Sequence, residues 1–146
     1  RDAGTLGPNT DQFNTIHEAL AERWAEIAPQ GEDIHFAADR DNPEDFATVE
    51  ALAWAAREAG LGAHFTALAD IGLSEDGQFA DDKDRVIGTL FKLYPWEDML
   101  RDDFAAHLQS SGTRFIEPPW KAVLSNKGIL PLLWGTHIAF AFGLGA

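Results

Sequence analysis

The chain has 146 residues, 45% of them hydrophobic, with 11 basic and 24 acidic side chains and a net charge of −13. That length and apolar content bury a real core and exclude a wholly disordered chain, while the acidity argues against nucleic-acid backbones and anionic membranes as partners. Cysteine is absent, which excludes disulfides, thiolate zinc sites and a Cys nucleophile and is compatible with a reducing cytoplasm.

Residues 1–10 read as an irregular lead-in, and the start Arg1-Asp2-Ala3-Gly4 has neither Met nor a signal-peptide apolar region, as expected of a fragment of a longer chain. A helix is expected from Thr10 or Asp11. Phe13, Ile16, Leu20, Trp24 and Ile27 recur every three or four residues on one face, and Pro29-Gln30-Gly31 stops it. Ile34 to Ala38 reads as a short buried strand. Asn42 suits an N-cap, Pro43 the first helical position, and Glu44 and Asp45 the first turn. The helix they open carries Phe46, Val49, Leu52, Ala53 and Ala56 inward and ends near Gly60. Residues 63–69 read as a second strand, which makes a βαβ unit and a parallel pair.

Asp70 to Asp84 is acidic and turn-rich, with Ser74-Glu75-Asp76-Gly77 as a tight turn of a small hairpin or excursion. Arg85 to Lys92 reads as a third strand. Pro95 opens a further helix with Met99, Leu100, Phe104 and Leu108 on its inner face and Gly112 after its end. Arg114-Phe115-Ile116 is a fourth, short strand. After the break at Pro118-Pro119, Trp120 to Trp134 reads as largely helical, interrupted at Gly128 and Pro131. The expected architecture is α/β, a single unit with helices packed on a mostly parallel sheet. Ligands gather beyond the carboxyl ends of such strands, here at 39–45, 92–98 and 117–127.

No Walker-type phosphate loop, dinucleotide fingerprint or nucleophile elbow is present. His17, His35, His64, His107 and His137 show no zinc spacing, and Asp81 to Asp84 lacks the Gly and distal Glu of a calcium loop. No metal site is expected in this stretch. The apolar run Ile138 to Leu144 is too short to span a bilayer.

The charge is uneven. Residues 1–103 hold 23 acids and 8 bases, whereas residues 104–146 hold one acid, Glu117, and three bases. The acidic front reads either as a solvated surface or as an acidic cleft for a cationic substrate. Leu90 to Glu97 crowds Phe91, Tyr94 and Trp96 around a strand-to-helix junction with Lys92 and Glu97. This is an aromatic latch, or the wall of a ligand site with Glu97 facing a cationic or amide group. Lys121 and Lys127 sit on an otherwise apolar segment. Either their stems cover the core while the heads reach water, or Ser125 or Asn126 caps a helix that presents Lys127 to a phosphate.

Five separated motifs resemble the glutathionylspermidine synthase family, closest to shorter bacterial members without the amidase domain. They are Asp11-Gln12-Phe13-Asn14, Asp70-Ile71-Gly72-Leu73 with Gly77-Gln78-Phe79, Phe91 to Glu97, Glu117-Pro118-Pro119-Trp120-Lys121, and Ser125 to Trp134. The resemblance spans residues 11–134. It implies part of an ATP-grasp-type synthetase domain and an ATP-dependent carboxylate–amine ligase. In such an enzyme an acyl phosphate forms, the amine displaces phosphate, and magnesium bridges the nucleotide phosphates. It further implies a small-molecule carboxylate or peptide and an amine or polyamine as partners, with Lys127 as an ATP-binding lysine. Glu44 and Asp45 fall near an acidic pair on the substrate side. Glu97 matches a motif residue and is carried as a substrate-binding candidate. Leu93 stands where the synthase places a Thr that contacts glutathione, and Leu lacks that hydroxyl.

The magnesium ligands are expected before this stretch, and the phosphate-gripping loop and second ATP lysine after it. The fragment alone is therefore expected to be inactive. Residues 135–146 depart from the family, as a frame change or fragment end would produce. A non-catalytic binding or scaffold protein on the same α/β unit is the alternative.

Overall fold

The computed structural model describes residues 15–125 and 127–132. The expected helix start at Thr10 or Asp11, the 11–14 motif, Asn126, Leu133, Trp134 and the 135–146 tail lie outside the described residues.

Four parallel strands form the sheet in the order β2-β1-β5-β6. They are β1 (Asp33–Ala38), β2 (Gly62–Ala67), β5 (Thr89–Lys92) and β6 (Arg114–Ile116). The α/β architecture expected from the sequence is the one observed. Side-chain alternation divides the sheet's two faces. Phe65, Phe36, Phe91 and Ile116 are register partners across all four strands. They meet helices α1 (Ile16–Ile27) and α2 (Pro43–Glu58) in a core with Trp24, Val49, Ala53 and Ala56. Trp24 packs edge-on against Phe36 at 5.5 Å. The opposite face, with Ala37, Leu90 and Phe115, is covered by the antiparallel pair β3 (Gly72–Leu73) and β4 (Phe79–Ala80), and by Ile87. The turn-rich acidic stretch is therefore a structural lid on one face of the sheet.

The boundaries of α2 follow its sequence. Asn42 Oδ1 accepts hydrogen bonds from the backbone N–H of Glu44 and Asp45, satisfying two donors that helix geometry leaves without partners. At the other end Gly60 has φ +83°, the left-handed conformation that closes helices.

Two expectations need correction. The helix from Pro95 to Leu108 is two short pieces, α3 (Trp96–Met99) and a 3₁₀ turn at Asp103–His107. Asp102 between them is extended and accepts a hydrogen bond from the Tyr94 hydroxyl at 2.8 Å, so Leu100 and Phe104 are exposed and form no continuous inner face. The third strand starts at Thr89, not Arg85. Of residues 85–88, Val86 makes an isolated bridge to Ala80 and Ile87 N–H bonds Phe79 O, so this segment serves the lid. The expectation of a largely helical stretch after Pro118 holds: residues 119–125 and 127–132 are helical, as the 3₁₀ turns Pro119–Lys121 and Lys127–Ile129, α4 (Ala122–Ser125) and the α-helical residues 130–132. Pro119 opens the first of these turns, and Pro131 is the second of the helical residues 130–132, where a proline is tolerated. Among the described residues no helix is long and apolar enough to cross a membrane.

Candidate functional site

The carboxyl ends of β1, β2 and β5 open into a cleft of about 840 Å³. This is where a parallel sheet places its ligands, because the strands end together and the following loops diverge. One wall comes from the residues after β1, Asp39 to Asp41, and from the first turn of α2 at Asp45. Another comes from Asp70 and Ile71 at the start of the lid. The third is the segment Lys92 to Pro95 with Asp102, Asp103 and Phe104.

The cleft is acidic. Arg40, one of its cations, is paired with Asp70, and Tyr94 engages Asp102. The hydrogen bond to Asp102, with partial burial and the nearby negative charges, pushes the Tyr94 phenol above its ordinary value. Asp39, Asp41, Asp45 and Asp103 add negative charge around the opening and form no ion pair among the described residues. Such a wall attracts ammonium groups and repels polyanions.

Lys92 is the other cation of the cleft, and it is 5% exposed. Its ammonium donates to Tyr94 O at 2.6 Å and sits 4.1 Å from the centre of the Trp96 ring. Burial lowers its pKa from the ordinary lysine value, opposed by the fields of Glu117 and Glu97. Leu93 continues the β1–β5 pairing by donating its N–H to Ala37 O at 2.8 Å, and it too lines the cleft.

The residues singled out from sequence separate in space. Asp45 lines the cleft, whereas its neighbour Glu44 is exposed in the first turn of α2 and is not among the lining residues. Glu97 lies outside the lining, with its carboxylate held by the Ser125 hydroxyl, which depresses its pKa. Lys127 is exposed at the start of a three-residue 3₁₀ turn, and Ser125 spends its hydroxyl on Glu97 and Ala122 O. Lys127 is the first residue of that turn, and Asn126, the other cap candidate, lies outside the described residues. Lys92 was visible as the one lysine of an aromatic junction, but nothing in the sequence marked it as buried.

A second polar cluster lies under the lid. Asp81 accepts from the backbone N–H groups of Lys83 and Arg85, and from Arg85 Nε at 2.7 Å. It also faces His35 Nε2 at 3.3 Å. Arg85 reaches His64 Nδ1 at 2.9 Å, and His64 faces Asp33 at 3.2 Å. Every carboxylate oxygen of Asp81 is thus used by the protein. Among the described residues no three His, Cys, Asp or Glu side chains are grouped to hold a metal ion.

Residues 3–140 match the family model described as glutathionylspermidine synthase preATP-grasp. A protein of Haemophilus influenzae named as an acid–amine ligase is 44% identical over 131 residues, covering 87% of this chain and 33% of that protein. The trypanothione synthetase of Crithidia fasciculata is 24% identical over 145 residues, covering 84% of this chain and 22% of that protein. The chain therefore spans a third or less of the curated relatives it matches.

Proposed function

The chain belongs to the glutathionylspermidine synthase preATP-grasp family, and from that premise we propose that it is one α/β portion of an ATP-dependent acid–amine ligase. Such a ligase joins a small carboxylic acid or peptide to an amine or polyamine through an acyl phosphate. The observation that carries this reading is the family match over residues 3–140. The cleft supports it, because its acidic rim suits a cationic amine and its buried lysine suits an acid.

In this reading residues 1–146 are a single portion of a larger synthetase domain. Lys127 is the candidate ATP contact, and Asp45, with Glu44 and Glu97 outside the cleft lining, are the substrate-side candidates. The described residues do not fit a magnesium ion, since no group of three ligands exists among them. In this reading the metal's ligands belong to other parts of the synthetase. Leu93 lines the cleft with an apolar side chain, so any peptide held there is gripped without a hydroxyl from that position.

The test uses the chain extended to the length of its relatives, with ATP, magnesium, glutathione and spermidine. ADP release that requires both acid and amine, with saturable ATP binding lost in Lys127→Ala, is the expected result. Absence of nucleotide binding by the extended protein overturns the ligase reading in favour of a binding or scaffold role.

A further inference from the structure

Lys92 ends β5 at the point where the parallel strands open into the cleft. A lysine ammonium carries three N–H donors and no acceptor. Burial removes most of its water, and a buried charge persists only where other groups replace that water. Here Tyr94 O takes one donor, and the face of Trp96 supports the charge without offering a lone pair. The two carboxylates that act on Lys92 are engaged elsewhere. Glu117 is 3.7 Å from Lys121 Nζ, and Glu97 accepts from the Ser125 hydroxyl. No other hydrogen bond or ion pair to Lys92 forms among the described residues. The ammonium therefore keeps donor capacity at the wall of a cleft.

The rim selects what reaches it. Asp39, Asp41, Asp45 and Asp103 repel a triphosphate, whereas a molecule bearing both a carboxylate and an ammonium balances both parts of the cleft. We propose that Lys92 is a specificity-determining residue that receives a carboxylate of a zwitterionic acid substrate, an amino acid or short peptide whose ammonium lies toward the aspartates. The assignment rests on the acid–amine ligase reading for its substrate and on the buried ammonium for its residue. The carboxylate gains a charge-assisted hydrogen bond in a site of low polarity, where such bonds are strong.

Two measurements test it on the chain extended to the length of its relatives. In steady-state kinetics Lys92→Met, which keeps the stem and removes the charge, raises KM for glutathione at least about tenfold, the cost of roughly one charged hydrogen bond. KM for ATP and for spermidine stays within about twofold, and Lys92→Arg recovers part of the loss. An unchanged KM for glutathione, or a rise confined to ATP, overturns the proposal, the latter by making Lys92 a phosphate contact. The second measurement needs no variant to fold. The ¹⁵N resonance of the wild-type Lys92 ammonium is followed while glutathione, glutamate, glycylglycine or ATP is added. A saturable shift with a zwitterion and none with ATP supports the assignment, and no shift with any zwitterion overturns it. If the extended protein binds no nucleotide, the ligase reading falls, and the resonance alone then decides whether Lys92 binds a carboxylate.

Discussion

His35 and Asp81 show what single side chains contribute under the lid. Burial pushes the His35 imidazole below its ordinary value, with Asp81 partly restoring it. The unfolded chain titrates there near about 6.5. Between the folded and unfolded values the unfolded state binds more protons, so the stability from neutral His35 is full above about pH 6.5 and drains away as pH falls below it. Asp81 adds a lower limb. Burial works against its charge, yet hydrogen bonds from Arg85 and from the Arg85 and Lys83 backbone hold its carboxyl far below the usual range. Its contribution is present above about pH 3.9 and lost below. Urea midpoints from about pH 8 to about pH 5 should fall in the wild type and fall less in His35→Gln, and an equally steep fall in the variant removes His35 from the account. At this scale the candidate site was only half legible. Asp45 could be found because a helix N-terminus announces itself in Asn42-Pro43-Glu44-Asp45. Lys92 could not, because its burial is produced by Trp96 and by the Tyr94 carbonyl folding back over a strand end.

The β1–α2–β2 unit was readable almost residue by residue, since its signals are local: a cap, a proline at the first position, an apolar face and a closing glycine. Asn42→Ala should lower stability by about 1 kcal/mol through loss of the cap, measured as a shift in the urea midpoint at constant m-value. No change would mean that water replaces both capping bonds at no cost. The segment after β5 defeated the same reasoning. Met99, Leu100, Phe104 and Leu108 have helical spacing, but Tyr94 draws Asp102 into an extended conformation, and Phe104 packs edge-on near Phe79 of the lid instead. Tertiary contacts outrank periodicity where helices are only a turn long. The start of β5 differs for a related reason: Arg85 to Gly88 has strand-like composition, yet Arg85, Val86 and Ile87 pair with Asp81, Ala80 and Phe79, while Gly88 O accepts from Arg114 N–H of β6.

For the whole molecule, the net charge of −13 works against compaction, and aspartates converge on one cleft. Raising salt from about 0.01 to about 0.15 M shortens the screening length from about 30 Å to about 8 Å. The melting temperature should rise by a few degrees over that range, and a flat or falling response would show that paired charges outweigh the repulsion. The strand order has a further consequence, in time rather than in energy. The central strand β1 pairs with β2 on one side and β5 on the other, and the chain delivers β2 first. On a ribosome adding about 5–20 residues per second, roughly twenty residues separate the end of β2 from the start of β5. For one to a few seconds during synthesis, the nascent half-sheet presents the open edge of its most buried strand, a natural moment for a chaperone to be needed.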